Sequence, residues 1–103
     1  MNTVSRLSAY LAGITLLLAG LPLLAEGKLV VYTVNYPLQY FAERIAAGHA
    51  EVILPAPAGV DPAFWHPDAA TVLAYQQADL VLLNGAGYAK WLSRVSLPRR
   101  KQV

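Results

Sequence analysis

Apolar positions along the chain fall into three successive patterns. From Leu7 to Ala25 no charge interrupts a leucine-rich run, with Leu16, Leu17 and Leu18 at its centre and Gly20 and Pro22 near its end. From Leu29 to Val34 the run is short, continuous and rich in β-branched residues, as in strands buried on both faces of a parallel sheet. After that the period changes. Leu38, Phe41, Ala42 and Ile45 fall at i, i+3, i+4 and i+7, one face of a helix, with Glu43 and Arg44 off that face.

The punctuation between runs supports the same reading. Asn35-Tyr36-Pro37 closes the strand, and proline suits a first helical position, so the helix is expected to open at Pro37 and to stop at Gly48. Glu51 to Leu54 reads as a second strand, ended by Pro55 and Pro57. Asp68, beside Pro67, is placed to cap a second helix whose inward face is expected at Ala69, Val72, Leu73 and Gln76. Asp79 to Leu83 reads as a third buried strand, Asn84 to Gly87 as a turn, and Tyr88 to Leu92 as one helical turn carrying Trp91 inward. Arg99 to Val103 is placed to begin a fourth strand.

Strands alternating with helices predict an open, mostly parallel α/β sheet. Ligands of such sheets bind in the crevice beyond the carboxyl ends of the strands. Asn35, Tyr36, the loop over residues 55–67 and the turn from Asn84 to Gly87 all follow strand ends, so they are expected to gather on one edge.

Composition changes this picture in two places. The 103 residues suffice for one small domain, and the 56% apolar content is inflated by the first quarter of the chain. Formal charge is +2, and Arg6 is the only charged residue among the first 25, so the remainder carries +1. Arg99, Arg100 and Lys101 are too few to make the basic face that nucleic acid requires. The absence of cysteine excludes disulfides, thiolate metal sites, a cysteine nucleophile and a lipidated anchor.

The first 25 residues have the order of a secretory signal: a basic Arg6, an apolar centre, and a small Ala25 before Glu26-Gly27-Lys28. Leu23 fills the upstream position where a small residue is usual. The expectation is a signal peptide over residues 1–25 and an exported mature chain over 26–103. An uncleaved anchor is the alternative, because the run approaches the ~20 residues a span requires.

Among candidate ligands, Asp61, His66 and Asp68 form the one close cluster, and a histidine with carboxylates suits zinc or manganese. Asp61 before Pro62 and Asp68 before a helix are also ordinary turn and capping residues. His49 follows Gly48, at the end of its helix away from the crevice. Phe64 and Trp65 are adjacent, so one is expected to pack inward and the other to line the crevice. Gly85-Ala86-Gly87 after a strand lacks the third glycine and the later acidic residue of a dinucleotide site. No serine stands in a nucleophile elbow and no carboxylates are paired for acid–base work, so nothing argues for an enzyme.

Three stretches, taken in order, resemble a known family. They are Lys28 to Pro37 with its helix through Ile45; Pro57-Ala-Gly-Val-Asp-Pro62; and Ala78-Asp-Leu-Val-Leu-Leu-Asn-Gly-Ala-Gly87 with Trp91 and Leu92. They look like the start of the zinc/manganese solute-binding proteins of metal ABC transporters. The resemblance implies a two-lobed periplasmic protein that binds its ion between the lobes through histidines and a carboxylate. It also implies delivery to an ABC permease in the inner membrane. The family's first ligand is a histidine directly after Asp-Pro, and here that position is Ala63, with His66 three residues later as the substitute. Asn35, Tyr36, Asp61, Phe64, Trp65 and Asn84 are then the expected crevice residues. The resemblance makes residues 26–103 an incomplete first lobe, in which the uncovered sheet should leave apolar surface open.

Two further readings stay open. The absent histidine and the Phe64-Trp65 pair suit a receptor for a metal chelate or a small organic ligand. A piece of a Rossmann-like enzyme fits less well, given the missing glycine and the export signal.

Overall fold

The structure, a computed structural model, describes residues 27–103. The signal segment read over residues 1–25 lies outside them. Five regular elements follow in order: β1 (Leu29–Thr33), α1 (Tyr36–Ala46), β2 (Ala50–Ile53), α2 (Ala69–Gln77) and β3 (Leu80–Leu82). Two short 3-10 turns, Lys90–Arg94 and Arg99–Lys101, complete the chain. No helix among the described residues is long and apolar enough to cross a membrane.

The sheet is parallel throughout, in the order β2-β1-β3. This is the open parallel α/β arrangement that the strand–helix alternation predicts. Because β1 is central, the chain first steps to one side through α1 and then crosses back over β1 through α2. Right-handed crossovers in opposite directions put the two helices on opposite faces. Asp79 extends the ladder at the start of β3. Its N–H donates to the Val30 carbonyl at 2.9 Å, and its carboxylate accepts the Val30 N–H at 2.8 Å.

The fourth strand begins later than its sequence suggests. Arg99 to Lys101 wind into a 3-10 turn, and only Gln102 bridges β3, pairing in parallel with Val81. The Val103 N–H donates to the Val81 carbonyl at 3.0 Å, and the Leu83 N–H donates to the Val103 carbonyl at 2.8 Å. Lys101 is held by its ammonium, which donates to the Gln76 carbonyl at 3.1 Å.

Both helices start where their caps dictate. Asn35 is the N-cap of α1, so the helix opens at Tyr36 with Pro37 already inside it. At its other end Ala47, with φ of 48°, makes the left-handed turn that Gly48 then continues. Asp68 caps α2 as its position predicts, accepting the Thr71 N–H at 2.8 Å.

The core lies on the α2 side of the sheet. Val34, Tyr75, Ala78, Val81, Ala89, Trp91 and Leu97 are buried there, with Tyr32 and Leu83 packed against them. This corrects the expected inward face of α2, since Leu73 is exposed and Tyr75 is the residue at 0% exposure. The reason is the ring. Tyr75 packs between Tyr32 and Trp91, with centroids 4.9 and 4.8 Å away, and its hydroxyl donates to the Thr33 carbonyl at 2.7 Å. No aliphatic residue of α2 offers that area together with a partner for the buried Thr33 carbonyl.

The α1 side is different. Leu38 and Ala42 are half-buried, but Phe41 is 60% and Ile45 84% exposed, and α1 buries no residue completely. Beside α1 a hollow of about 490 Å³ opens over Leu29, Val31, Leu80 and Leu82. The apolar periodicity of α1 is therefore real, and half of its face is uncovered among the described residues. That matches the open apolar surface expected of an incomplete lobe.

Candidate functional site

Three strand ends build the crevice. Thr33 pairs in register with Leu82, so Asn35 and Asn84 stand level, two residues beyond β1 and β3. The Asn35 side chain makes two bonds in opposite senses. Its Oδ1 accepts the Leu38 N–H at 3.1 Å as the helix cap, and its Nδ2 donates to Asn84 Oδ1 at 2.6 Å. Asn35 is 5% exposed, and both of its polar atoms are satisfied. The pair sits between β1 and β3, where successive crossovers leave in opposite directions. This is the switch point at which open α/β sheets bind ligands.

The loop after β2 is braced from both sides. Asp61 Oδ1 accepts the Ala63 N–H at 3.0 Å, and the Asp61 carbonyl accepts the N–H groups of Phe64 and Trp65 at 3.1 and 3.0 Å. Asp61 is thus an Asx-turn residue, as its place before Pro62 allows. The Ala63 carbonyl accepts the Lys90 N–H at 3.0 Å, which ties the loop to the turn after β3. Trp65 turns inward, edge-on to Trp91 with centroids 6.5 Å apart, while Phe64 is 64% exposed. The adjacent pair divides as expected, although the backbone that separates the two side chains is a turn and not an extended strand.

His66 is exposed. Asp68 is committed to its helix. Hydrogen bonds from the Thr71 side chain and backbone hold its carboxyl below the usual carboxylate range. Tyr36 is exposed beside Tyr40 and lines a second hollow, of about 400 Å³, with Leu54 and the Ala56–Val60 segment. His49 lies on the open α1 side, away from the strand ends. Among the described residues, no group of three or more His, Cys, Asp or Glu side chains could hold a metal ion. Of the Asp61, His66 and Asp68 cluster, only His66 is free of a structural task.

Two features were out of reach of sequence reasoning. One is the Asn35–Asn84 bond, which depends on β1 and β3 being neighbours in that register. The other is a hollow of about 360 Å³ between the ends of β1 and β3, bordered by Lys90. The Lys90 ammonium donates to the Gly87 carbonyl at 2.7 Å across a turn in which Gly85, Ala86 and Gly87 all have positive φ. The Gly-x-Gly spacing signals a turn, but nothing in it announces a left-handed Ala86 or a lysine folded back across it.

Sheet, switch point and braced loop together define the crevice-bearing part of an open α/β binding domain. The comparisons with known proteins identify which. The family profile described as zinc-uptake complex component A, periplasmic, matches residues 31–102, and the chain belongs to that family. It is 30% identical over 95 residues to the zinc-binding lipoprotein AdcA of Streptococcus pneumoniae, which covers 92% of this chain and 19% of the relative. The chain thus spans about a fifth of that protein's length. The crystal structure of Zn(II)-bound AdcA superposes with a TM-score of 0.60 at 31% identity, over 66% of this chain and 15% of that one. The metal-dependent lipoprotein YcdH from Bacillus subtilis gives 0.64 at 28% identity, over 74% of this chain and 30% of that one. The binding protein FpvC of Pseudomonas aeruginosa in complex with Mn2+ gives 0.58 at 28% identity, over 66% of this chain and 26% of that one. A second structure of FpvC holds Ni2+. AdcA thus binds zinc, and FpvC takes Mn2+ or Ni2+.

Proposed function

We propose that this chain forms one wall of the metal crevice of a periplasmic solute-binding protein that feeds an ABC importer. Its cargo is an ion of the zinc or manganese class, and an ABC permease in the inner membrane is its partner. It binds and releases, and performs no catalysis. Residues 1–25 act as the export signal, and residues 26–103 supply the first part of the first lobe. The observation that carries this reading is the braced loop from Asp61 to His66 at the strand ends, inside the stretch that matches the family. His66 is the residue of this wall that reaches the ion. The other ligands come from polypeptide beyond the described residues.

The test is a zinc competition titration on the protein isolated from its source. His66→Ala is expected to weaken zinc binding by about tenfold or more, the loss of one ligand bond. Unchanged affinity would remove His66 from the ligand set.

A second reading is a receptor for a metal chelate or a small organic ligand. Two observations favour it: Ala63 offers only a carbonyl, already taken by the Lys90 N–H, and Phe64 stands exposed at the loop.

A further inference from the structure

We infer that the hollow between the ends of β1 and β3 is a site for a carboxylate group, with Asn84 and Lys90 as its donors. The inference deepens the chelate reading and does not depend on His66 touching a metal.

The cap of α1 fixes the orientation of the Asn35 amide. A backbone N–H can only donate, so the Asn35 atom facing the Leu38 N–H is the oxygen, at 3.1 Å. The other end of the Asn35 amide must then be its NH2, and it faces Asn84 at 2.6 Å. The atom of Asn84 that receives it is therefore an oxygen. One helix cap thus fixes the orientation of both amides. Asn84 is exposed and lines the hollow. Its oxygen already receives one hydrogen from Asn35, so the group of Asn84 with no partner among the described residues is its NH2, which donates and cannot bind a cation.

The rest of the lining agrees in sign. The floor is Val34 and Leu83, and the rim includes Asn84, Gly85, Lys90 and Ser93, with no aspartate, glutamate or histidine. Ser93 Oγ donates to the Lys90 carbonyl at 3.0 Å, and so holds the turn that carries the lysine. The Lys90 ammonium uses one hydrogen on the Gly87 carbonyl and keeps two. An apolar floor under an ammonium and an amide NH2 complements a carboxylate on a short carbon frame. A volume of about 360 Å³ admits a molecule of that size. A bare divalent cation finds no carboxylate or imidazole there and meets a positive charge. Where the cargo is a metal, it would arrive at this hollow inside a carboxylate complex.

Calorimetric titration of the full chain tests this with three probes: citrate, zinc citrate and zinc chloride. Saturable binding of citrate, free or zinc-loaded, is expected, and the stronger of the two identifies the source of the carboxylate. Asn84→Asp places a carboxylate against the ligand's own and is expected to weaken that binding by about tenfold or more. Asn35→Asp keeps the cap but presents an acceptor to Asn84, whose amide must turn over and offer its oxygen to the hollow. A comparable loss is expected, with the helix content intact by circular dichroism. Lys90→Gln should weaken binding without altering the fold. If neither form of citrate binds, or if Asn84→Asp and Asn35→Asp bind as tightly as the parent, the site does not exist. Binding of zinc chloride with no binding of either form of citrate would overturn the inference while leaving the metal-receptor reading standing.

Discussion

Replacing Ile45 by lysine separates stability from self-association in this fold. Ile45 points from α1 over the uncovered side of the sheet and is 84% exposed, so only about a sixth of its surface is out of water. Full burial of an isoleucine stabilises by about 1.5–3 kcal/mol, so the share at stake here is roughly 0.3–0.5 kcal/mol. Lysine is a somewhat better helix former than isoleucine, which offsets part of that loss. The net change in folding stability is expected within about 0.5 kcal/mol of zero. Association responds differently. The hollow beside Ile45 is an uncovered apolar surface, and Phe41, at 60% exposure, and Leu29, at 56%, flank it. Such surfaces promote pairing between copies. Burying an unpaired ammonium in that contact would cost several kcal/mol, enough to suppress it by a hundredfold or more. The chain is therefore expected to self-associate at micromolar concentration in sedimentation velocity, and Ile45→Lys to sediment as a monomer. Urea unfolding of the variant supplies the stability term. A loss near 2 kcal/mol would mean that Ile45 is covered, and unchanged association would mean that this face is not the sticky one. A monomeric parent with a cooperative thermal transition would refute the predicted self-association.

The remaining predictions concern the core and the second helix, and are best read in that soluble Ile45→Lys background. Tyr75→Phe keeps both ring contacts but strands the buried Thr33 carbonyl, at an expected cost of about 1–2 kcal/mol, or roughly 4–16 °C in melting midpoint. Burial, reinforced by Tyr32, pushes the Tyr75 hydroxyl well above its ordinary pKa. The folded state thus holds that proton longer than the unfolded state, so the contribution is complete below about pH 10 and is lost as pH rises further. Tyr75→Phe should flatten this alkaline limb of the stability profile; an unchanged limb would assign it to another group. Asp68 has the opposite sign. Its lowered pKa means a contribution complete above about pH 4 and lost as pH falls through the folded value, so Asp68→Asn should keep the cap and remove that acid dependence. A variant that unfolds in acid as the parent does would separate Asp68 from the effect.

Much of the fold was legible because the signals were local. A β-branched run, an Asn-x-Pro helix start and an aspartate beside a proline each act through neighbouring residues, and β1, α1 and the α2 cap follow from them. The inward face of α2 is not legible from periodicity because Tyr75 counts as amphipathic in a periodic pattern. Its burial is decided by Tyr32, Trp91 and the Thr33 carbonyl, which lie 16 to 43 positions away in the sequence. The start of the fourth strand is not legible either, because Arg99 to Lys101 have no pattern of their own and the pairing of Gln102 is set by Val81. The crevice residues could be assigned to one edge from strand ends alone. How they are linked there could not, because the Asn35–Asn84 bond is a property of strand order and register.

Native mass spectrometry of the endogenous protein from a periplasmic extract tests the metal-receptor reading. The expected species is a polypeptide that begins at Glu26, runs on past Val103 and carries a single zinc or manganese ion, lost with the His66→Ala substitution or held far more weakly. A polypeptide that retains residues 1–25, ends at Val103 and takes up neither ion at any loading would contradict it.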